Sequence, residues 1–167
     1  SVLRTLEREF SGEDFCAKIE NYREFLADYT DLIRLRLKKW RGWIDVDFNT
    51  LVSQAKDYIL VRLYMQSGKK YSMLKPLIRL FEEDREKFEE IAKDLKDKDI
   101  EWYCKFGSSP PITIEDKNMP AIKEREFLPI YCEKKINVYD RERDEICSEI
   151  VEIIPTLVEL YSLLLER

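Results

Sequence analysis

Apolar residues in the first hundred positions recur at steps of three and four, the spacing that puts them on one face of a helix. Residues 1–10 set Leu3, Leu6 and Phe10 on one side. Ser11 then stands three positions before Asp14, an arrangement that resembles a capping box. Phe15, Ile19, Tyr22, Leu26, Tyr29, Ile33, Leu37 and Trp40 follow in helical register, which predicts an amphipathic helix over 14–41 that ends at Gly42. A further helix is expected over 48–66, with Asp47 as its N-cap and Phe48, Leu51, Val52, Ala55, Ile59 and Leu63 on its inner face. Its stretch Tyr58–Val61 is apolar on every side, the pattern of a central element. Leu74, Leu77, Phe81, Phe88, Ile91 and Leu95 continue a helix from about Ser72 to Lys96, with Pro76 in its first turn and the acidic run 82–90 on a solvated outer face. Short connections between these elements predict an antiparallel bundle.

The texture changes after residue 99. The aromatic run 100–107 fits a short helix or strand, and 108–120 holds three prolines and no period. Residues 126–132 and 135–140 read as short strands, and 144–153 as a third that Pro155 breaks before a closing helix over 156–167. The expected class is therefore mainly α: an antiparallel helical bundle over 1–106, a linker over 107–121, and a small α+β module over 122–167.

Composition narrows the chemistry. The 167 residues carry 29 Lys+Arg against 34 Asp+Glu, a formal charge of −5, which argues against a globally basic nucleic-acid binder. With four glycines the chain has neither GxGxxG nor GxxxxGK[ST], so glycine-rich phosphate cradles are excluded. There is no histidine, which removes Ser-His-Asp and Cys-His catalysis and imidazole-bound zinc. Cys16, Cys104, Cys132 and Cys147 form no CxxC pair and are expected to behave as small hydrophobes rather than disulfide or cluster ligands. No leader-like segment opens the sequence and no apolar run nears the ~18 residues of a membrane span, which predicts an intracellular protein, in a prokaryotic cytoplasm or a nucleus.

The densest local chemistry lies at 31–43. Arg34, Arg36, Lys38, Lys39 and Arg41 stand beside Trp40 and Trp43. Cations that pair with phosphates, next to aromatics that stack on bases, suit single-stranded DNA or RNA. The same residues suit a protein interface, where Trp and Arg are over-represented as anchors, or simply a helix C-terminus that attracts cations. Asp45 and Asp47 resemble half of a two-metal site but lack further acidic residues in register. Tyr58, Leu60, Val61 and Tyr64 are expected to face another subunit, because the 48–66 segment is too apolar for a lone bundle. No constellation points to catalysis, and neither cofactor nor metal is expected.

The layout also resembles a known family. Residues 19–33 (IENYREFLADYTDLI), 56–65 (KDYILVRLYM) and 77–95 (LIRLFEEDREKFEEIAKDL) are similar to the three helices of a GINS subunit of the helical-first type. Residues 126–140 and 149–167 resemble that family's small C-terminal domain. The resemblance implies a non-catalytic scaffold subunit at the replication fork. Its partners would be identical or paralogous subunits, the MCM helicase and a RecJ-like or Cdc-type protein. The alternative is a helical nucleic-acid-binding protein, such as a small subunit of a ribonucleoprotein complex.

Overall fold

A computed structural model of the protein describes residues 18–21, 32–36, 41–52, 54–125 and 127–167, with the side chains of 18–21, 36 and 52 left out. Its centre, among the described residues, is one antiparallel sheet of seven strands: β1 (Lys18–Asn21), β2 (Leu32–Arg36), β3 (Gly42–Asp47), β4 (Tyr58–Met65), β5 (Glu101–Cys104), β6 (Ile112–Thr113) and β7 (Ile130–Asn137). The spatial order is β1-β2-β3-β4-β7-β5-β6, so the last strand of the chain lies between the fourth and the fifth. The helices are α1 (Asn49–Val52), α2 (Leu74–Glu83), α3 (Arg85–Asp97), α4 (Met119–Lys123) and α5 (Arg143–Leu165). The class is α+β, which corrects the expected mainly α bundle.

The correction has a local cause at each place. In β3 the residues alternate strictly, with Ile44 and Val46 buried and Trp43, Asp45 and Asp47 half-buried. That is the period of two of a strand with one face in the core. β2 alternates in the same way, Ile33 and Leu35 facing inward, so the expected 14–41 helix holds two strands among its described residues. The expected 48–66 helix is the single turn α1 followed by β4. β4 looks apolar all round because it is a central strand, paired with β3 over six positions and with β7 over eight.

That β4–β7 ladder also undoes the expected division of the chain. Residues 58–65 belong to the proposed first domain and 130–137 to the proposed module, yet they pair at the middle of one sheet. The proline-containing stretch taken as a linker supplies β6 and α4, with Met119 and Ile122 buried in the same core. Residues 144–153, expected as a strand, open α5 instead. Pro155 lies inside α5 without ending it, and since proline has no N–H, the carbonyl of Val151 loses its helical donor. The expected helix over 1–10 lies outside the described residues.

The 72–96 region is helical as expected, though in two pieces. Asp84 separates them, its side chain accepting the Lys87 amide at 3.3 Å as the N-cap of α3. The C-terminus of α3 closes with paired bonds, Asp99 N–H to Lys96 and Ile100 N–H to Leu95, with Asp99 in the left-handed region at φ 57°. This is the turn that usually recruits glycine. One face of the sheet (Ile44, Val46, Val61, Leu63, Cys132) shares a continuous core with Leu77 and Leu80 of α2, Phe88 of α3, and Ile150, Ile154, Leu157 and Leu164 of α5. The helices therefore cover one side of the sheet, and the opposite side chains carry the chemistry.

Candidate interaction face

Strand register lines up the outward residues in two rows. The first reads Arg36–Trp43–Tyr64–Tyr131–Tyr103–Thr113 across β2, β3, β4, β7, β5 and β6. The second reads Arg34–Asp45–Arg62–Glu133–Glu101 across β2, β3, β4, β7 and β5. Directly opposed side chains on neighbouring strands are close enough to touch, and those of Trp43, Tyr64, Tyr131 and Tyr103, of Arg34 with Asp45, and of Arg62 with Glu133 do.

In the aromatic row, the Trp43 and Tyr64 rings stack with centroids 4.5 Å apart and planes at 29°. Tyr64 meets Tyr131 edge-on at 5.2 Å, and Tyr131 stacks on Tyr103 at 5.2 Å and 13°. All four are half-buried. Burial, reinforced by Tyr131, pushes the Tyr64 hydroxyl above its ordinary value. Burial likewise raises Tyr131, against the pull of Arg62, and raises Tyr103 further, where the Glu133 charge adds to it. These hydroxyls stay protonated across the physiological range.

From Arg34 to Glu133 the second row alternates in charge and is neutralised in pairs. Arg34 grips Asp45 with two bonds, Nε to Oδ1 at 2.7 Å and Nη2 to Oδ2 at 3.1 Å, while its guanidinium lies 4.2 Å from the Trp43 ring centre. A planar guanidinium suits both contacts at once. Burial raises the Asp45 carboxyl despite Arg34, whose bond and charge act the other way. Arg62 donates from Nε to Oε2 of Glu133 at 2.7 Å, and Tyr103 donates its hydroxyl to Oε1 at 3.0 Å. Burial works against the Arg62 charge, but the Glu133 carboxylate together with Tyr103 and Tyr131 more than offsets it, so Arg62 is raised. Around the β5 end, Glu101, Tyr103 and Glu133 also border an open depression of about 870 Å³.

The sequence-predicted residues divide. Arg34 and Trp43 join this face, and Arg36 sits beside Trp43 by register, whereas Lys38, Lys39 and Trp40 lie outside the described residues. Arg41 stands before β3, its guanidinium 5.2 Å from the ring of Tyr71. Of the four expected subunit contacts, Tyr64 is in the aromatic row, and Tyr58 and Leu60 share its side of β4. Val61 has no exposed area and packs in this chain's own core.

Asp45, Arg62, Tyr103, Tyr131 and Glu133 lie outside the expected contact residues. Their signal was present as ring and charge two positions apart: Trp43 and Asp45, Arg62 and Tyr64, Tyr131 and Glu133. On a strand, residues two apart share a face. Of the cysteines, Cys104 and Cys132 are buried, and burial pushes the Cys104 thiol up to about 12. Among the described residues, no three side chains of metal-ligating type lie together, and no helix is long and apolar enough to cross a membrane.

No protein-family model matches this chain, and neither a curated protein nor a solved structure does.

Proposed function

We propose that this chain is a non-catalytic assembly module that docks a protein partner on the side of its sheet turned away from α2, α3 and α5. One observation carries the proposal: a row of four touching aromatics flanked by arginines already neutralised in pairs, Arg34 with Asp45 and Arg62 with Glu133. Trp, Tyr and Arg are the residues that anchor protein interfaces. A nucleic-acid face needs cations left over for phosphates and ring faces open to bases. Here the arginines spend their charge on neighbouring carboxylates, and the rings stack on one another. The resemblance to a replication subunit leans on helices over 19–33 and 56–65, where the described residues hold strands, so the proposal stands on the chemistry of this face alone.

Site-specific photo-cross-linking tests the assignment. Benzoylphenylalanine at Tyr131 is expected to capture protein in cells, in clear excess over the same probe at the exposed Glu89 of α3. Capture of nucleic acid from position 131, or equal yields from both positions, would overturn it.

A further inference from the structure

We infer that the partner on this face is a second copy of the chain, docked about a two-fold axis parallel to the strands; the inference rests on the assembly role proposed above. The charge order along the second row is what selects this occupant. From β2 to β7 it runs Arg34, Asp45, Arg62, Glu133, or plus, minus, plus, minus. Such an order read backwards is its own complement. A two-fold axis lying between β3 and β4 and parallel to them reverses the row and sets it face to face with itself. Arg34 then meets Glu133 of the other copy, and Asp45 meets Arg62, with every opposed pair attractive. Isologous interfaces demand this self-complementarity, since one patch must serve both partners.

The aromatic row obeys the same operation. Trp43 is set against Tyr64 of the second copy, ring against ring. The axis perpendicular to the strands fails, because it sets Arg34 against Arg34 and Glu133 against Glu133. Two sheets stacked with nearly parallel strands is the ordinary aligned packing of a β-sandwich. The like-signed match lies at the rim, where Glu101, exposed at the β5 end, approaches the Glu20 register position. There solvent screens it.

The row supplies its own test. Arg62→Glu with Glu133→Arg keeps an internal pair but changes the order to plus, minus, minus, plus, so every contact across the axis becomes repulsive. Arg34→Asp with Asp45→Arg gives minus, plus, plus, minus and fails against itself for the same reason. The two variants complement each other at all four positions. Sedimentation velocity on the full chain up to about 100 μM, where a small interface still populates a dimer, is expected to show a concentration-dependent dimer of the wild type. Each swap should lower the dimer fraction about tenfold, and an equimolar mixture should restore it as a heterodimer. If either swap loses its native circular dichroism, Tyr131→Lys is read instead. It puts a charge among the stacked rings of the row, beside Tyr64 and Tyr103, and should give the same loss. A wild type that stays monomeric, or swap variants that self-associate like the wild type, overturns the second-copy assignment. Should Tyr131 nonetheless capture a different protein in the cross-linking experiment, the assembly role stands and only the identity of the partner is wrong.

Discussion

Gly42 opens β3 where two parts of the molecule close on it, and replacing it with alanine tests the packing directly. An added Cβ would lie 2.7 Å from the Tyr64 carbonyl oxygen, 2.9 Å from Cε2 of Tyr161 and 3.2 Å from its Cδ2. Carbon-to-oxygen contacts normally stand at about 3.3 Å or more, so the carbonyl is some 0.6 Å too close. It cannot easily retreat, because β4 is held on both sides, by β3 and by β7. The Tyr161 ring is only 2% exposed, and its hydroxyl is hydrogen-bonded to the Arg41 backbone. Overpacking of this kind costs about 1–3 kcal/mol. The lower entropy of alanine in the unfolded chain returns roughly 0.4–1 kcal/mol.

The expected net loss is about 1–2 kcal/mol, or a fall in Tm of roughly 3–8 °C for a domain of this size. Urea unfolding should show a lower midpoint at unchanged slope. Gly68→Ala is the control, since a Cβ there meets nothing within 4 Å. Tyr161→Leu removes the ring contact but not the carbonyl, so Gly42→Ala should cost less in that background and still cost something. A Gly42→Ala protein as stable as the Gly68→Ala control would refute the reasoning. So would a Tyr161→Leu background that erases the whole cost, because the backbone would then be yielding freely.

Alkaline pH should weaken the fold before ordinary tyrosine titration is complete. Tyr64, Tyr103 and Tyr131 are all raised in the folded state, so above pH ~10 it binds more protons than the unfolded chain. Their contribution is complete below the unfolded value and drains away as pH rises. The urea midpoint should hold steady up to about pH 9 and fall between there and about pH 11, less steeply in Tyr103→Phe, and a midpoint that stays flat up to about pH 11 contradicts the assignment. Pro155→Ala, at an exposed position inside α5, restores a donor for Val151 and should stabilise by about 1–2 kcal/mol, below the ~3 of a straight helix interior. Thermal unfolding checks this, and a lower Tm means the proline bend is needed to seat α5 on the sheet.

How far the sequence revealed the fold can be judged element by element. Residues 74–97 were legible because Leu74, Leu77, Phe88 and Leu95 pack from one helical stripe, and surface charge fills the rest. The strands β2 and β4 were not. Ile33 lies on a long run of three-and-four steps, yet its inward neighbour is Leu35, two residues on. In β4 both faces carry large side chains, so Tyr58, Leu60 and Tyr64 hide the alternation of Ile59, Val61, Leu63 and Met65. A short apolar run of this kind fits a buried strand and a buried helix equally. The α5 stripe of Ile146, Ile150, Ile153 and Leu157 is visible in the sequence, but Pro155 reads there as a break, because the packing that overrides it is not local. For the interaction face, Arg34, Trp43 and Tyr64 could be found locally. Tyr103 and Glu133 could not, because only the non-local register of β7 with its neighbours brings them to the row.

The position of β7 has a consequence for how the molecule is made. Met65 pairs with Ile130, so about 65 residues must be synthesised after β4 before its second neighbour begins to exist. At about 5–20 residues per second, the ribosome leaves that edge of β4 unpaired for roughly 3–13 seconds. The β5–β6 hairpin is complete in the meantime, but it pairs natively with β7 and not with β4. The nascent chain thus carries two half-sheets with open edges, and one late strand must enter between them. Such long-range pairing is slow to find, and exposed edges recruit other chains. Whatever shields the edge of β4 during those seconds, whether a chaperone or low concentration, governs how much of this protein reaches its native sheet.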